Sequence, residues 1–213
     1  MRIRPAGEMD PFTEGGAARM NPTEQKRALR REMRALRAAL PADYVTSAGR
    51  RMQDRVLSLP AWQRANRVFI YVSVGKEPDT ALLLRSALAE GKRLYVPKCL
   101  GEGRMLAART DSAEALRPGA LGIPEPALIR ETAEAEDLDL IIVPCLSASA
   151  DGRRLGQGGG YYDRFLAGNA DRAICLCYAR LLRTDIPAEA TDVWIPTVIT
   201  EAGDEPSFRR AVR

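Results

Sequence analysis

The sequence predicts an α/β protein, a mainly parallel sheet flanked by helices in a single compact domain. Three observations predict this class. Apolar, β-branched segments alternate with amphipathic segments, and a strand–helix–strand unit spans 67–99. The segment 138–146 is apolar on both faces, which is typical of a central parallel strand. With 213 residues, 46% of them hydrophobic, the chain can bury one sizeable core.

Two N-terminal amphipathic helices precede the predicted sheet. The first begins at Asn21-Pro22-Thr23-Glu24, which combines a capping side chain, a proline at the first helical position and a carboxylate three residues later. It ends at Pro41. Its predicted buried stripe is Leu29, Met33, Leu36 and Leu40, and the rest of its surface carries Lys26, Arg27, Arg30, Arg31, Arg34 and Arg37. The second helix runs from near Asp43 to Pro60 and turns Val45, Ala48, Met52 and Val56 inward.

Strands and helices then alternate along the chain. The strands are predicted at 67–74, 93–99, 104–109, 138–146, 172–178 and 194–200. The helices are predicted at 79–91, capped at its start and ended by a glycine, and at 161–168. Residues 1–20 are predicted to be a disordered extension, with Met20 a candidate start, 21–205 the domain and 206–213 a C-terminal tail.

Composition limits the classes of function. The chain has 32 Lys and Arg against 28 Asp and Glu, and its net charge of +4 is too small to demand a nucleic-acid partner. The longest apolar runs, such as 140–146, are much shorter than the roughly 20 residues of a membrane span. We expect a cytoplasmic, monomeric protein without a nucleic-acid or membrane partner.

The chain has no histidine, and its four cysteines are Cys99, Cys145, Cys175 and Cys177. Without imidazole there can be no Ser-His-Asp or Cys-His nucleophile. The cysteines lack C-x-x-C spacing, so the sequence favours neither a zinc site nor a disulfide framework, and buried thiols in the cytosol are expected. An enzyme of this composition has to rely on carboxylates, cations and backbone donors.

The most distinctive stretch is "RRLGQGGGYYDRFL", residues 153–166, with glycine at 156, 158, 159 and 160. Such a loop allows positive φ and can bring backbone N–H groups close to a phosphate. Neither G-x-x-x-x-G-K-[ST] nor G-x-G-x-x-G matches it. Arg154 can pair with phosphate oxygens, whereas Asp163 would repel them unless a cation lies between, which indicates Mg²⁺. The alternative for Asp163 is a helix-start carboxylate stabilised by the dipole.

Several segments together resemble the 5-formyltetrahydrofolate cyclo-ligase family, also called 5,10-methenyltetrahydrofolate synthetases. They occur in family order between residues 24 and 201. The segments are "KRALR", "YVSVGKEPDT", "GIPEP", "DLIIVPCL", "GRRLGQGGGYYDRFL" and "IPAEATDVWIPTVIT".

The resemblance implies a set of site residues. Catalytic roles fall on Lys26 and Arg154, and ATP contacts on Lys26, Arg30, Arg154, Gly156, Gly158 and Gly160. The folate substrate is assigned to Val72, Glu77, Gln157, Gly159 and Tyr161, and Mg²⁺ to Asp163 and Asp192. Taken singly, Lys26 and Arg30 could be solvated helix charges, Glu77 a turn residue and Asp192 a loop carboxylate.

The resemblance also implies a reaction, in which ATP phosphorylates the N5-formyl oxygen of 5-formyltetrahydrofolate and N10 then attacks the activated carbon. ADP and phosphate are released. Because the nucleophiles belong to the substrate, the protein needs no histidine. Glu77 would hydrogen-bond donors of the pterin ring.

Three departures from the family pattern keep other interpretations open. Ala148 and Ser149 replace a Phe-Asp pair and are expected to remove an aromatic wall from the folate pocket; Thr191 precedes Asp192 where a histidine is usual; and the segment 180–184 is short. A second interpretation is therefore a relative that keeps the Mg-ATP site but acts on another formylated or folate-like molecule. A third is a non-catalytic RNA-binding protein that uses the arginine-rich first helix.

Overall fold

Residues 21–206 are described by a computed structural model, with side chains except at 120 and 204–206. The predicted extension at 1–20 and residues 207–213 of the predicted tail lie outside this range. The chain begins with helices α1 (Pro22–Ala38), α2 (Ala42–Ser58) and the short α3 (Pro60–Arg64). The predicted capping box is confirmed, because Asn21 Oδ1 accepts from the Glu24 N–H at 2.9 Å and Glu24 Oε2 from the Asn21 N–H at 3.1 Å.

The buried face of α1 differs from the predicted stripe at two positions. Leu29, Met33 and Leu40 are buried, but Leu36 is 44% exposed and Lys26 only 3% exposed. The prediction that Lys26 lies among the exposed cations is therefore wrong. A cation can occupy the buried face because carboxylates from the end of the chain reach it there. On α2, Ala48, Met52 and Val56 are buried as predicted, and Val45 is half-buried.

The rest of the described chain contains twelve strands and two further α-helices. The helices are α4 (Ala81–Ala89) and α5 (Tyr161–Phe165). The strands are β1 (Arg67–Ile70), β2 (Arg93–Gly101), β3 (Arg104–Thr110), β4 (Arg117–Pro118), β5 (Pro124–Glu125), β6 (Thr132–Ala133), β7 (Leu140–Pro144), β8 (Ser147–Ala148), β9 (Arg154–Leu155), β10 (Ala173–Leu176), β11 (Thr197–Ile199) and β12 (Asp204–Pro206).

Eight of these strands form one mostly parallel sheet in the order β12-β11-β10-β7-β1-β2-β3-β6. The pairs from β11 to β2 are parallel, and β12, β3 and β6 add antiparallel edges. The central strands β1 and β7 are apolar on both faces, and Phe69 and Ile141 are fully buried between the helix layers. The predicted fold class is confirmed.

Predicted and observed boundaries differ mainly where the chain leaves the sheet. The strand predicted at 67–74 ends at Ile70, and the strand predicted at 194–200 begins at Thr197. Helix α4 starts at Ala81, where the Asp79 carboxylate, rather than its N-cap Thr80, accepts from the Ala81 N–H.

Within residues 21–206, no helix combines the length and apolar character that a bilayer span requires. All four cysteines are free thiols, and Cys145, Cys175 and Cys177 are buried.

A buried carboxylate fixes the hairpin formed by β4 and β5. Glu125 is 1% exposed, and its side chain accepts from Lys98 Nζ at 2.8 Å and from the Cys99 N–H at 3.0 Å. Gly119 is required opposite it, because a Cβ there would lie 2.3 Å from Glu125 Oε2. The carboxylate thus ties the 117–125 hairpin to β2.

We expect Glu125→Ala to lower the free energy of unfolding by roughly 1–3 kcal/mol, because Lys98 Nζ and the Cys99 N–H lose their buried acceptor. Chemical denaturation measures this change. The matched control is Asp54→Ala, which breaks an exposed i,i+4 pair with Arg50 and should cost less than about 0.5 kcal/mol. Equal losses in the two variants would contradict the anchoring role of Glu125.

Candidate functional site

A cavity of about 510 Å³ lies at the carboxyl ends of the central strands. Tyr71 and Val72, directly after β1, line it together with Pro144 and Cys145 at the end of β7. The chain proceeds from β1 to β2 on one side of this point and from β7 to β10 on the other. In open parallel sheets, such a switch point is where ligands bind.

Every residue predicted for the nucleotide, the substrate or the metal lines this cavity. They come from α1, the loop after β1, the glycine loop with α5, and the segment before β11. The set is Lys26, Arg30, Val72, Glu77, Arg154, Gly156, Gln157, Gly158, Gly159, Gly160, Tyr161, Asp163 and Asp192.

The glycine loop depends on backbone conformations that favour glycine. Gly158 has φ +102° and Gly160 has φ +68°, and a Cβ on Gly160 would lie 2.7 Å from Arg164 Nη1. Arg30 Nε donates to the Gly156 carbonyl at 3.0 Å, which fixes the loop to α1. The following helix α5 is a single turn of five residues, shorter than the predicted 161–168.

Arg154 and Asp163 form a partly buried ion pair beside the loop. Arg154 Nη2 lies 2.8 Å from Asp163 Oδ1, and the Arg154 side chain is 4% exposed. Arg154 Nε is buried and has no hydrogen-bond partner among the described residues. The guanidinium also lies over the Tyr162 ring, 5.6 Å from its centre. An unsatisfied, buried cationic N–H group is a strong donor for an anionic ligand.

A second ion-pair cluster joins α1 to the segment before β11. Lys26 Nζ lies 2.5 Å from Asp192 Oδ1 and 2.7 Å from Glu189 Oε2. Glu189 also accepts from Thr23 Oγ1, and the hydrogen bonds from Lys26 and then from this hydroxyl lower the pKa of the Glu189 carboxyl. The sequence did not predict Glu189 as a site residue.

Glu77 lies in a different part of the cavity wall and is nearly buried. Its side chain is 10% exposed, and burial raises the pKa of its carboxyl. Two groups oppose this rise: the Val74 N–H, which donates to Oε2 at 3.2 Å, and Arg37, whose Nη1 lies 3.6 Å from Oε1. A carboxylate kept in such a place suits recognition of several ligand N–H groups.

The donor set fits Mg²⁺ only together with a ligand. Among residues 21–206, no three metal-binding side chains cluster. Asp163 and the 192–193 segment are neighbours, since the Val193 N–H donates to Asp163 Oδ1 at 3.3 Å. Mg²⁺ is commonly held by one or two protein carboxylates plus substrate phosphates. Asp163 and Asp192 are carboxylates of this kind, and each is paired here with a cation.

The structure adds further residues that the sequence reasoning missed. Arg34 donates to the side chain and the carbonyl of Gln157, and Arg37 reaches Glu77. Their spacing from Lys26 and Arg30 on α1 could have indicated this shared face. No local pattern indicated Glu189 or the apolar lining residues. Those apolar residues include Met105, Leu121 and Ile123.

The small residues Ala148 and Ser149 add nothing to the cavity wall, and their expected effect on the folate pocket stays a prediction. Both are buried in the β8–β9 hairpin, and neither lines the cavity. Ala148 pairs with Leu182, and the Ser149 hydroxyl bonds to Asp151. Thr191, the replacement for the usual histidine, does line the cavity.

Comparison with known proteins identifies the family. The sequence model of the 5-formyltetrahydrofolate cyclo-ligase family matches residues 22–201. The chain belongs to this family. A cyclo-ligase of Escherichia coli strain K12 is 29% identical over 174 residues, which cover 79% of this chain and 96% of that protein. A cyclo-ligase of Arabidopsis thaliana, named as mitochondrial, is 30% identical over 216 residues, covering 88% of this chain and 78% of that protein.

Solved structures agree with this membership of the cyclo-ligase family. The NMR structure of the Aquifex aeolicus 5,10-methenyltetrahydrofolate synthetase matches with a TM-score of 0.75 at 28% identity, covering 86% of this chain and 93% of that one. The Mycoplasma pneumoniae synthetase matches with a TM-score of 0.67 at 19% identity, covering 83% and 98%. At that identity, the second match shows the shared fold.

Proposed function

We propose that this chain converts 5-formyltetrahydrofolate to 5,10-methenyltetrahydrofolate, consuming ATP and requiring Mg²⁺. The observation that carries the proposal is the convergence of the glycine loop, the α1 cations and the buried Glu77 carboxylate on one cavity. One part of this cavity suits phosphates, and another suits a ligand with several N–H donors. The cyclo-ligases among the relatives are named for this substrate.

The nucleotide phosphates are assigned to the glycine loop. Gly156, Gly158 and Gly160 let the backbone approach the phosphates. Lys26, Arg30 and Arg154 bring positive charge to them, and Arg154 has an unpaired N–H. Asp163 and Asp192 would hold Mg²⁺, which when bound would neutralise charge on the transferring phosphoryl group.

The folate is assigned to the Glu77 side, with Val72, Gln157, Gly159 and Tyr161 as further contacts. In the proposed reaction, the formyl oxygen attacks the terminal phosphate of ATP, ADP leaves, and N10 then displaces phosphate from the activated carbon. The substrate supplies both nucleophiles. The protein binds the two reactants side by side and stabilises the developing charge, with Lys26 and Arg154 in the catalytic roles.

The alternative of a relative acting on another formylated or folate-like molecule stays a prediction, because Ala148 and Ser149 add no side chain to the cavity wall. The RNA-binding interpretation has less support. Arg30 and Arg34, on which an RNA-binding helix would depend, donate to the glycine loop. Cytoplasmic location, a monomeric state and the lack of nucleic-acid or membrane partners stay predictions.

The test is a spectrophotometric assay with purified protein, Mg-ATP and (6S)-5-formyltetrahydrofolate. We expect ATP-dependent growth of the near-ultraviolet band of the methenyl product, and no growth without Mg²⁺. ATP binding in a calorimeter without methenyl formation would reject the substrate. Methenyl formation without ATP would reject the nucleotide role of the glycine loop.

The pH dependence of folate binding tests the role of Glu77. The carboxylate is the binding form, so the KM for folate should rise as pH falls through its burial-raised pKa. Arg37→Gln removes a cation that lowers this pKa, so the rise should begin at a higher pH than in the parent protein. KM measured between about pH 5 and 8 decides this. Arg37→Lys is the control, and coinciding profiles for all three proteins would contradict the assignment.

A further inference from the structure

The Glu189 carboxylate contacts α1 with both of its oxygens. Oε1 accepts from Thr23 Oγ1 at 2.5 Å, and Oε2 lies 2.7 Å from Lys26 Nζ. Thr23 and Lys26 are three residues apart, about one turn, near the start of the helix. Two simultaneous contacts restrict the glutamate to one orientation, which in turn fixes the direction of the lysine side chain.

Lys26 has a second carboxylate partner, Asp192, three residues after Glu189. Asp192 Oδ1 and Oδ2 lie 2.5 and 2.6 Å from Nζ. The Glu189 N–H donates to Asp192 Oδ2 at 2.7 Å, and the Asp192 N–H donates to the Glu189 carbonyl at 3.1 Å. The two carboxylates are therefore held next to each other and share one ammonium group that is almost completely buried.

The two carboxylates do not have the same task under the proposed function. Asp192 is assigned to Mg²⁺ bound with the nucleotide, and its oxygens cannot keep both contacts to Lys26 while they bind a divalent cation. Without another acceptor, the buried ammonium would lose its fixed position when the metal binds. Glu189 lines the cavity and has no assigned metal or substrate role.

We propose that Glu189 is a positioning residue that holds the Lys26 ammonium in the cavity while Asp192 is engaged by the metal–nucleotide complex. The inference rests on the proposed function. It predicts that the importance of Glu189 differs between the metal-free protein and the protein with metal and nucleotide bound. Without metal, Asp192 alone can hold Lys26, and Glu189 is dispensable. With metal and nucleotide bound, Glu189 becomes the main partner of Lys26.

Glu189→Ala and Glu189→Gln test this difference between the two states through kcat and through the Kd of ADP without metal. In the methenyl assay, we expect kcat to fall roughly 10- to 100-fold in Glu189→Ala, because small displacements of a catalytic group cost that much. Glu189→Gln keeps an acceptor for Thr23 and should lose less. The Kd of ADP, measured by calorimetry without metal, should stay within about threefold in both variants, since Asp192 still orients Lys26.

Two comparisons separate positioning from a general structural role. In a Lys26→Ala background, adding Glu189→Ala should change kcat by less than about twofold, because the group that Glu189 orients is absent. The matched control is Glu32→Ala. Glu32 also ties α1 to the C-terminal part of the chain, through Arg183 Nη1 at 2.7 Å, but lies outside the cavity. It should keep the parent kcat.

The outcomes are distinguishable. Parent-like kcat in both Glu189 variants overturns the positioning role, and so does a full additional loss in the Lys26→Ala background. If Glu189→Ala has a melting temperature too low for assay, Glu189→Gln decides by the same two readouts. Absence of turnover by the parent protein overturns the proposed function and this role with it. Equal turnover by the parent protein and both Glu189 variants overturns the positioning role of Glu189 and leaves the proposed function standing.

Discussion

Asp163→Asn is expected to reduce kcat by roughly 100-fold or more, the largest effect of any single change considered. Asparagine keeps an acceptor for the Val193 N–H but loses the negative charge that pairs with Arg154 and that would bind Mg²⁺. Charge stabilisation in the transition state is usually the largest contribution to catalysis of this kind. The methenyl assay measures the loss.

The same variant should also lower the free energy of unfolding by roughly 1–3 kcal/mol, because buried Arg154 loses its carboxylate partner. The control for stability is Asp139→Asn. Asp139 accepts from the Asn66 and Arg67 N–H groups outside the cavity. Asp139→Asn should lower the free energy of unfolding and leave kcat unchanged. A near-normal kcat in Asp163→Asn would remove Asp163 from the metal site.

Glu77→Gln is expected to raise the KM for 5-formyltetrahydrofolate roughly 10- to 100-fold and the KM for ATP by no more than about threefold. Hydrogen bonds to a charged, largely buried acceptor contribute about 1.5–3 kcal/mol, and glutamine offers one acceptor oxygen and two competing donors. The two KM values, measured with the other substrate saturating, give the split.

The matched control for Glu77→Gln is Glu131→Gln. Glu131 is also a paired carboxylate, held by Arg109 Nη1 at 2.7 Å on the far edge of the sheet, and it lies outside the cavity. It should leave both KM values unchanged. If Glu77→Gln raised the two KM values equally, Glu77 would not be a folate contact.

The fold could be predicted because its determinants are local. The alternation of apolar strands and helical stripes, the capping box at Asn21 and the doubly apolar strand at 138–146 each follow from short-range patterns, and all appear in the structure. The antiparallel edges β6 and β12 were missed. They are two and three residues long, too short to show a periodic pattern; β6 pairs with β3, and β12 folds back on β11.

The site was less accessible to the sequence because its geometry is made by distant pairs. Helical periodicity predicts Lys26 on the exposed face of α1 and Leu36 on the buried face. Lys26 is buried instead because Glu189 and Asp192, more than 160 positions away, supply anions on that face. The expected loss of an aromatic wall at Ala148 and Ser149 rests on the family pattern alone. Both residues are buried and lie outside the cavity lining, so the expectation stays a prediction.

Helix α1 carries its cations as a rigid row. Lys26, Arg30, Arg34 and Arg37 reach successive parts of the site, and the helix rests on the fully buried Met33. Any change of volume beneath Met33 would move the whole row together, because a helix transmits a displacement along its length. Under the proposed function, such a displacement would change the affinities for both reactants together. Core substitutions that never touch a ligand offer a way to tune the two at once.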